Sequence, residues 1–186
     1  MKSNTDPAIL PITEGLYLRP ASPTDAKALF HLIETQRDYL RQWLPFVDVS
    51  QNVKDTELFL QHVTAKGNRS DKVFVIMYHS ELAGLISFKD IDYLNRKLEI
   101  GYYLSEDLQG NDIMRRSCQA LVQHAFETMR MNRIQVKVGI GNVRSSNIPR
   151  KLGFQLEGVQ REGEFLNGTF HDLEVYSLLR RDWQEH

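Results

Sequence analysis

The sequence predicts a mixed α/β fold, and three observations carry that expectation. Leu98, Ile100, Tyr102 and Leu104 alternate with Glu99, Gly101 and Tyr103, which is the two-residue period of a strand. The chain then passes through Gln109-Gly110-Asn111 into a helical stripe of Ile113, Cys118, Leu121, Val122, Ala125, Phe126 and Met129. Two turn pairs, His79-Ser80 and Asn167-Gly168, separate strand-like runs, and Asn-Gly is the strongest hairpin turn in the chain.

Taken in order, residues 1–14 read as an irregular leader and residues 15–186 as one domain. Leu16 to Arg19 is a first strand, ended by Pro20. Ser22 or Thr24 caps a helix carrying Ala26, Leu29, Phe30 and Ile33. The tract Tyr39 to Val47 is aromatic and irregular, interrupted by Pro45, and Val53 to Ala65 is helical with Leu58, Phe59 and Val63 as its apolar side. Strands follow over Lys72–Tyr78, Glu81–Phe88 and Arg96–Leu104, with Gly101 as the expected bulge. After the helix Ile113–Met129 comes a strand marked by Ile134, Val136 and Val138, then a short helix over Ser145–Leu152. Pro149 suits that helix only if its first turn is displaced or 3₁₀-like. A hairpin of Val159–Leu166 and Thr169–Leu179 closes the order β-α-α-β-β-β-α-β-α-β-β.

Composition excludes several classes. With 186 residues and 41% hydrophobic content the chain builds one sizeable core. Net charge is −1 and the 23 basic and 24 acidic residues are mixed, so neither a nucleic-acid tail nor an anionic membrane surface is indicated. Cys118 is the only cysteine, which leaves no intramolecular disulfide and no multi-cysteine metal site. No apolar run approaches the roughly 18–20 residues of a membrane span, and MKSNTDPAIL has no signal-peptide core. The expectation is a cytoplasmic protein without a metal.

Chemistry concentrates in two segments. A strand feeding a helix through a tight polar turn, as at Gln109 to Met114, presents unpaired backbone N–H groups at a positive dipole end, which suits a phosphate. The second segment, NVRSSNIPRKLGF, is a polar turn and a short basic helix in which Asn142 or Ser145 can serve as cap. If Asn167-Gly168 forms a two-residue turn, Leu166 faces Thr169 and Glu164 faces His171, side by side on one sheet face.

This order resembles the GNAT N-acetyltransferases, on strand EIGYYL, turn QGND, helix IMRRSCQALVQHAF and the segment NVRSSNIPRKLGF. With LRPASPTDA, YLRQWLPFVD and GEFLNGTFHDLEVYSLLRRDW, it is most similar to the bacterial ribosomal-protein alanine/serine N-acetyltransferase group. The resemblance implies a mostly antiparallel central sheet splayed between two strands and flanked by helices. It also implies acetyl-CoA as cosubstrate, lying between the strands of Arg96–Leu104 and Ile134–Val138.

On that resemblance the coenzyme A contacts fall on Tyr103, Leu104, Gln109, Gly110, Asn111, Asp112, Ile113, Met114, Arg115, Asn142 and Ser145. The family's pyrophosphate loop, Q/R-x-x-G-x-G/A, is matched at Gln109 but carries Asp112 where glycine is usual. A carboxylate there adds a Cβ and a like charge, costing about 1 kcal/mol at ~4 Å in water and about 4 kcal/mol at an effective dielectric of 20. Arg115 and Arg116 can screen it, and as a plain N-cap it would stabilise the helix.

Ser145 falls where the family has a serine near the thioester sulfur, Ser146 being the competing position, and Glu164 where it has its proposed base. Of Tyr102 and Tyr103, one belongs to the core and the other can touch the acyl arm; Trp43, Leu44 and Phe46 can line the acceptor side. An α-amine, with a pKa of about 7.7–8.0 against about 10.4 for lysine, suits a modest base such as Glu164. The implied acceptor is therefore a protein N-terminus, of a ribosomal protein by the subgroup. A small-molecule amine and a non-catalytic binding module with a decayed loop at Asp112 are the rivals, and a homodimer is left open.

Overall fold

The computed structural model describes residues 9–183, and its architecture is one eight-stranded sheet between helices. The strands are β1 (Leu10–Thr13), β2 (Leu16–Pro20), β3 (Lys72–Tyr78), β4 (Glu81–Asp92), β5 (Lys97–Leu104), β6 (Arg133–Gly139), β7 (Gln155–Leu166) and β8 (Thr169–Leu179). They lie in the order β1-β2-β3-β4-β5-β6-β8-β7, antiparallel throughout except where β5 meets β6. The helices are α1 (Ala26–Thr35), α2 (Arg37–Leu40), α3 (Val53–Val63), α4 (Ile113–Gln123) and α5 (Val143–Lys151).

Each face of the sheet is covered because the strands alternate. Leu16, Leu18, Phe74, Ile76, Ile86, Leu98 and Ile100 point to one side and pack against Ile113, Cys118, Leu121 and Val122 of α4. Val73, Val75, Met77 and Leu85 point to the other and meet Leu29 of α1 and Leu60 of α3. The faces of β5 fall as expected: Leu98, Ile100, Tyr102 and Leu104 join the α4 side, and Tyr103 the opposite one.

The structure corrects several expectations. Part of the expected leader is strand β1, paired with β2; residues 1–8 of it lie outside the described residues. The aromatic tract holds helix α2 and a 3₁₀ turn at Pro45–Asp48. Ser22 starts a 3₁₀ turn at Pro23–Asp25 ahead of α1, its N–H bonded to Asp25 at 2.8 Å. On α3, Leu58 and Phe59 are exposed while Thr56 and Leu60 are buried, Leu60 joining Leu29 and Val75 in the core and Val63 packing against them. No bulge occurs at Gly101, which pairs regularly with Ser87; the register slips instead between Lys89 and Asp92. β4 and β7 are longer than expected, and α4 ends in a π-helical turn at His124–Thr128.

Helix α5 begins two residues earlier than expected, at Val143. Asn142 is its cap, the side-chain oxygen accepting from the Ser145 N–H at 3.1 Å. Pro149 therefore sits inside the helix rather than in its first turn.

Candidate active site

The site forms where the sheet stops being a sheet. β5 and β6 pair only at Lys97 with Arg133, Leu98 with Ile134 and Glu99 with Gln135. Beyond Glu99 the β6-facing edge of β5 has no strand partner, and a cavity of about 820 Å³ lies beside it. Tyr102, Tyr103 and Leu104 line one wall, the α4 N-terminus another and α5 a third. The parting of two parallel strands leaves backbone groups of β5 without a strand partner, and no bulge at Gly101 is needed for it.

The cavity gathers most of the residues singled out from the sequence. Tyr103, Leu104, Gln109, Gly110, Asp112, Ile113, Met114, Arg115, Asn142 and Ser145 all line it, and Asn111 does not. Asn111 instead bonds back to the carbonyl of Leu108 at 3.2 Å, shaping the loop. Gly110, with φ of 81°, takes a left-handed turn that suits glycine. Gln109 ties the loop across the cavity, donating to the Tyr39 hydroxyl and accepting from Arg144 at 2.5 Å.

Asp112 occupies the left-handed region at φ 60° and makes no capping hydrogen bond. Its carboxylate is held by Arg115, with contacts of 2.7 and 2.5 Å, and by Arg116 at 3.2 Å. The Arg115 hydrogen bonds hold this carboxyl below the usual carboxylate range, Arg116 adding to them. The plain N-cap reading is thus replaced by an ion-paired one, in which the negative charge beside the helix N-terminus is matched locally.

Tyr102 and Tyr103 point to opposite faces, yet both line the cavity, so the division into one core and one contact tyrosine does not hold. Burial pushes both phenols up, which keeps them protonated. The Tyr102 hydroxyl donates to the Ser145 carbonyl at 3.0 Å, and Ser145 Oγ lies 3.3 Å from that hydroxyl. Ser146 is buried, with its hydroxyl 3.3 Å from the Val143 carbonyl, and does not line the cavity.

Glu164 faces His171 across the hairpin in the expected register. It is half-buried and lies outside the cavity lining. Burial raises its pKa, against the opposing pull of Lys89 and His171, and Glu99 adds to the rise. Glu99 itself is 7% exposed and bridges Lys89 at 3.0 Å and Lys137 at 3.2 Å. Trp43 and Leu44 line the cavity, and Phe46 packs on Tyr103 with ring centroids 5.5 Å apart.

Arg144, Ile148 and Lys151 also line the cavity and were not singled out beforehand. Their i, i+4, i+7 spacing on α5 was the available signal. Together with Arg115 they bring three cations around a helix N-terminus, a donor set that fits an extended phosphorylated ligand. Among the described residues no group of three or more His, Cys, Asp or Glu is placed to hold a metal ion.

A family model described as an acetyltransferase (GNAT) domain matches residues 15–155. The chain is 33% identical over 178 residues to the putative ribosomal N-acetyltransferase YdaF of Bacillus subtilis (strain 168), covering 93% of this chain and 96% of that protein. It is 32% identical to the ribosomal-protein-serine acetyltransferase of Escherichia coli (strain K12), covering 90% of this chain and 94% of that one. Among solved structures, RimL, a ribosomal α-N-protein acetyltransferase in complex with coenzyme A, matches with a TM-score of 0.88 and 31% identity. That match covers 92% of this chain and 97% of that one. The chain belongs to the GNAT acetyltransferase family and is an acetyl-CoA-dependent N-acetyltransferase.

Proposed function

We propose that the enzyme acetylates a protein N-terminal α-amine of the ribosomal-protein type, with residues 15–186 acting as one domain. The observation that carries the acetyl-CoA side of this reading is the cavity at the parting of β5 and β6, bounded by the α4 N-terminus and by Ser145. Pantetheine lies along the open edge of β5, and the pyrophosphate lies at the α4 N-terminus with Arg144 and Lys151 at hand.

The amine attacks the thioester carbonyl directly, the carbon–sulfur bond breaks, and no covalent enzyme intermediate forms. A backbone N–H of β5 supports the oxyanion. Glu164 takes the ammonium proton; because it stands outside the cavity lining, the transfer runs through water. Its raised pKa makes it a stronger base than an ordinary carboxylate. Ser145 donates to the departing thiolate. Cys118 takes no part: it is buried on α4, and burial pushes its thiol up.

The α-amine is favoured because it is neutral near pH 7 far more often than lysine, and because relatives at 32–33% identity are named for ribosomal substrates. The test is acetyl-CoA turnover with peptides bearing a free N-terminal serine or alanine, with the same peptides blocked at the N-terminus but carrying lysine, and with spermidine. Faster turnover of the free N-termini supports the proposal; preference for lysine or spermidine overturns it.

A further inference from the structure

Helix α5 contains a proline where a helix ordinarily tolerates none, and its consequence falls on one atom. An α-helical carbonyl accepts from the N–H four residues on. For Ser145 that residue is Pro149, which has no N–H to give. The Ser145 carbonyl is thereby left without its helical donor, and the Tyr102 hydroxyl reaches across from β5 to supply one at 3.0 Å. A phenol has a single proton, so with that proton on the carbonyl the Tyr102 oxygen acts towards Ser145 Oγ, 3.3 Å away, only as an acceptor. The Ser145 N–H is fixed as well, on Asn142 at 3.1 Å.

We propose that Tyr102 is a positioning residue for Ser145: its O–H, held by the carbonyl that Pro149 leaves open, anchors the first turn of α5 to β5. The serine O–H, which otherwise rests on the Tyr102 oxygen, is thereby within reach of the coenzyme A sulfur and turns to it when the thiolate forms. This rests on the reading that Ser145 assists the thiolate. The pair spans β5 and α5, two of the walls of the cavity, so the serine keeps its register with the strand along which the thioester is laid. Burial keeps the tyrosine protonated, so the donor to the carbonyl is present throughout the working range.

The test titrates the thiol of coenzyme A bound to the full chain, followed by the ultraviolet absorbance of the thiolate, which needs no knowledge of the acceptor. A hydroxyl donating to the thiolate holds that pKa below its value in free coenzyme A. Ser145→Ala is expected to raise it by roughly one unit relative to the parent. Tyr102→Phe keeps the ring and is expected to raise it by a similar amount, and the double variant no further than Ser145→Ala alone. Turnover should follow the same pattern, with kcat down about 10-fold in Tyr102→Phe and KM for acetyl-CoA nearly unchanged.

Pro149→Ala in the Tyr102→Phe background supplies the missing N–H. It should return thermal stability towards the parent while the thiol pKa stays raised, and it provides a folded protein should Tyr102→Phe alone prove unstable. An unchanged thiol pKa in Tyr102→Phe, additive shifts in the double variant, or recovery of the thiol pKa by Pro149→Ala would overturn the positioning role. Should Ser145→Ala itself leave the thiol pKa unmoved, the assignment of Ser145 fails, and the role of Tyr102 with it.

Discussion

The two ends of β5 are built from one continuous strand and behave as different objects. From Lys97 to Glu99 it is paired on both sides, and the buried Glu99 is held between Lys89 on β4 and Lys137 on β6. From Ile100 to Leu104 it keeps β4 but loses β6, and the freed edge faces the cavity. At the closed end the buried Glu99 carboxylate is answered within the protein by two lysines, so that end serves first to stabilise. At the open end the wall is incomplete, with a basic rim, and an outside molecule can complete it. The difference teaches that the catalytic feature is a strand pairing left unfinished.

The largest expected effect belongs to the proposed base, which stands outside the cavity lining and feels Lys89 and Glu99 of the closed end. Glu164→Gln should lower kcat by roughly 10²–10⁴-fold with little change in acetyl-CoA affinity. Because burial raises the Glu164 pKa, parental kcat should fall, as pH drops, at a higher pH than for an ordinary carboxylate. The variant's deficit should shrink as pH rises, since more of the acceptor amine is then already neutral. A pH–rate profile of both proteins checks this. Near-parental kcat at neutral pH would reduce Glu164 to a surface charge.

At the closed end Glu99→Ala should cost stability by about 1–3 kcal/mol, because two lysines lose their carboxylate, while affinity for acetyl-CoA changes little. Denaturant unfolding alongside calorimetric titration separates the two quantities. A variant that keeps its stability and loses affinity would erase the contrast between the ends.

A smaller effect is expected at Asp112→Gly. It frees Arg115 and Arg116 from their carboxylate and removes a Cβ beside the pyrophosphate position, so acetyl-CoA should bind about fivefold tighter, corresponding to about 1 kcal/mol. Since no cap is lost and a left-handed residue becomes glycine, the ion-pair loss and the relieved backbone roughly offset, and thermal stability should stay close to the parent. Unchanged or weaker affinity by calorimetry would move the phosphates away from this loop.

Much of this was legible locally. The alternation of Leu98 to Leu104, the apolar stripe of α4 and the Asn167-Gly168 turn are short-range signals, and they predicted the faces of β5 and the Glu164–His171 register. What escaped depends on distant partners. β1 was hidden because Pro11 weakens the strand signal, although an edge strand tolerates it. Leu58 and Phe59 read as a buried side, yet it is Leu60 that joins Leu29 and Val75, residues distant in sequence, in the core. The irregularity in the β4–β5 pair lies at Lys89 to Asp92 because register belongs to both strands, not to a glycine in one of them. The Tyr102–Ser145 contact joins residues 43 apart in sequence, and no local spacing announces it.

The central claim is that acetyl-CoA completes the open end of β5. Amide hydrogen exchange, followed with and without saturating acetyl-CoA and resolved to the two halves of the strand, tests it most directly. The account predicts a marked gain in protection over residues 100–104 and at the start of α4, with residues 97–99 already protected and unchanged. Protection that rises equally along the whole strand, or that leaves 100–104 untouched while acetyl-CoA is bound, would contradict it.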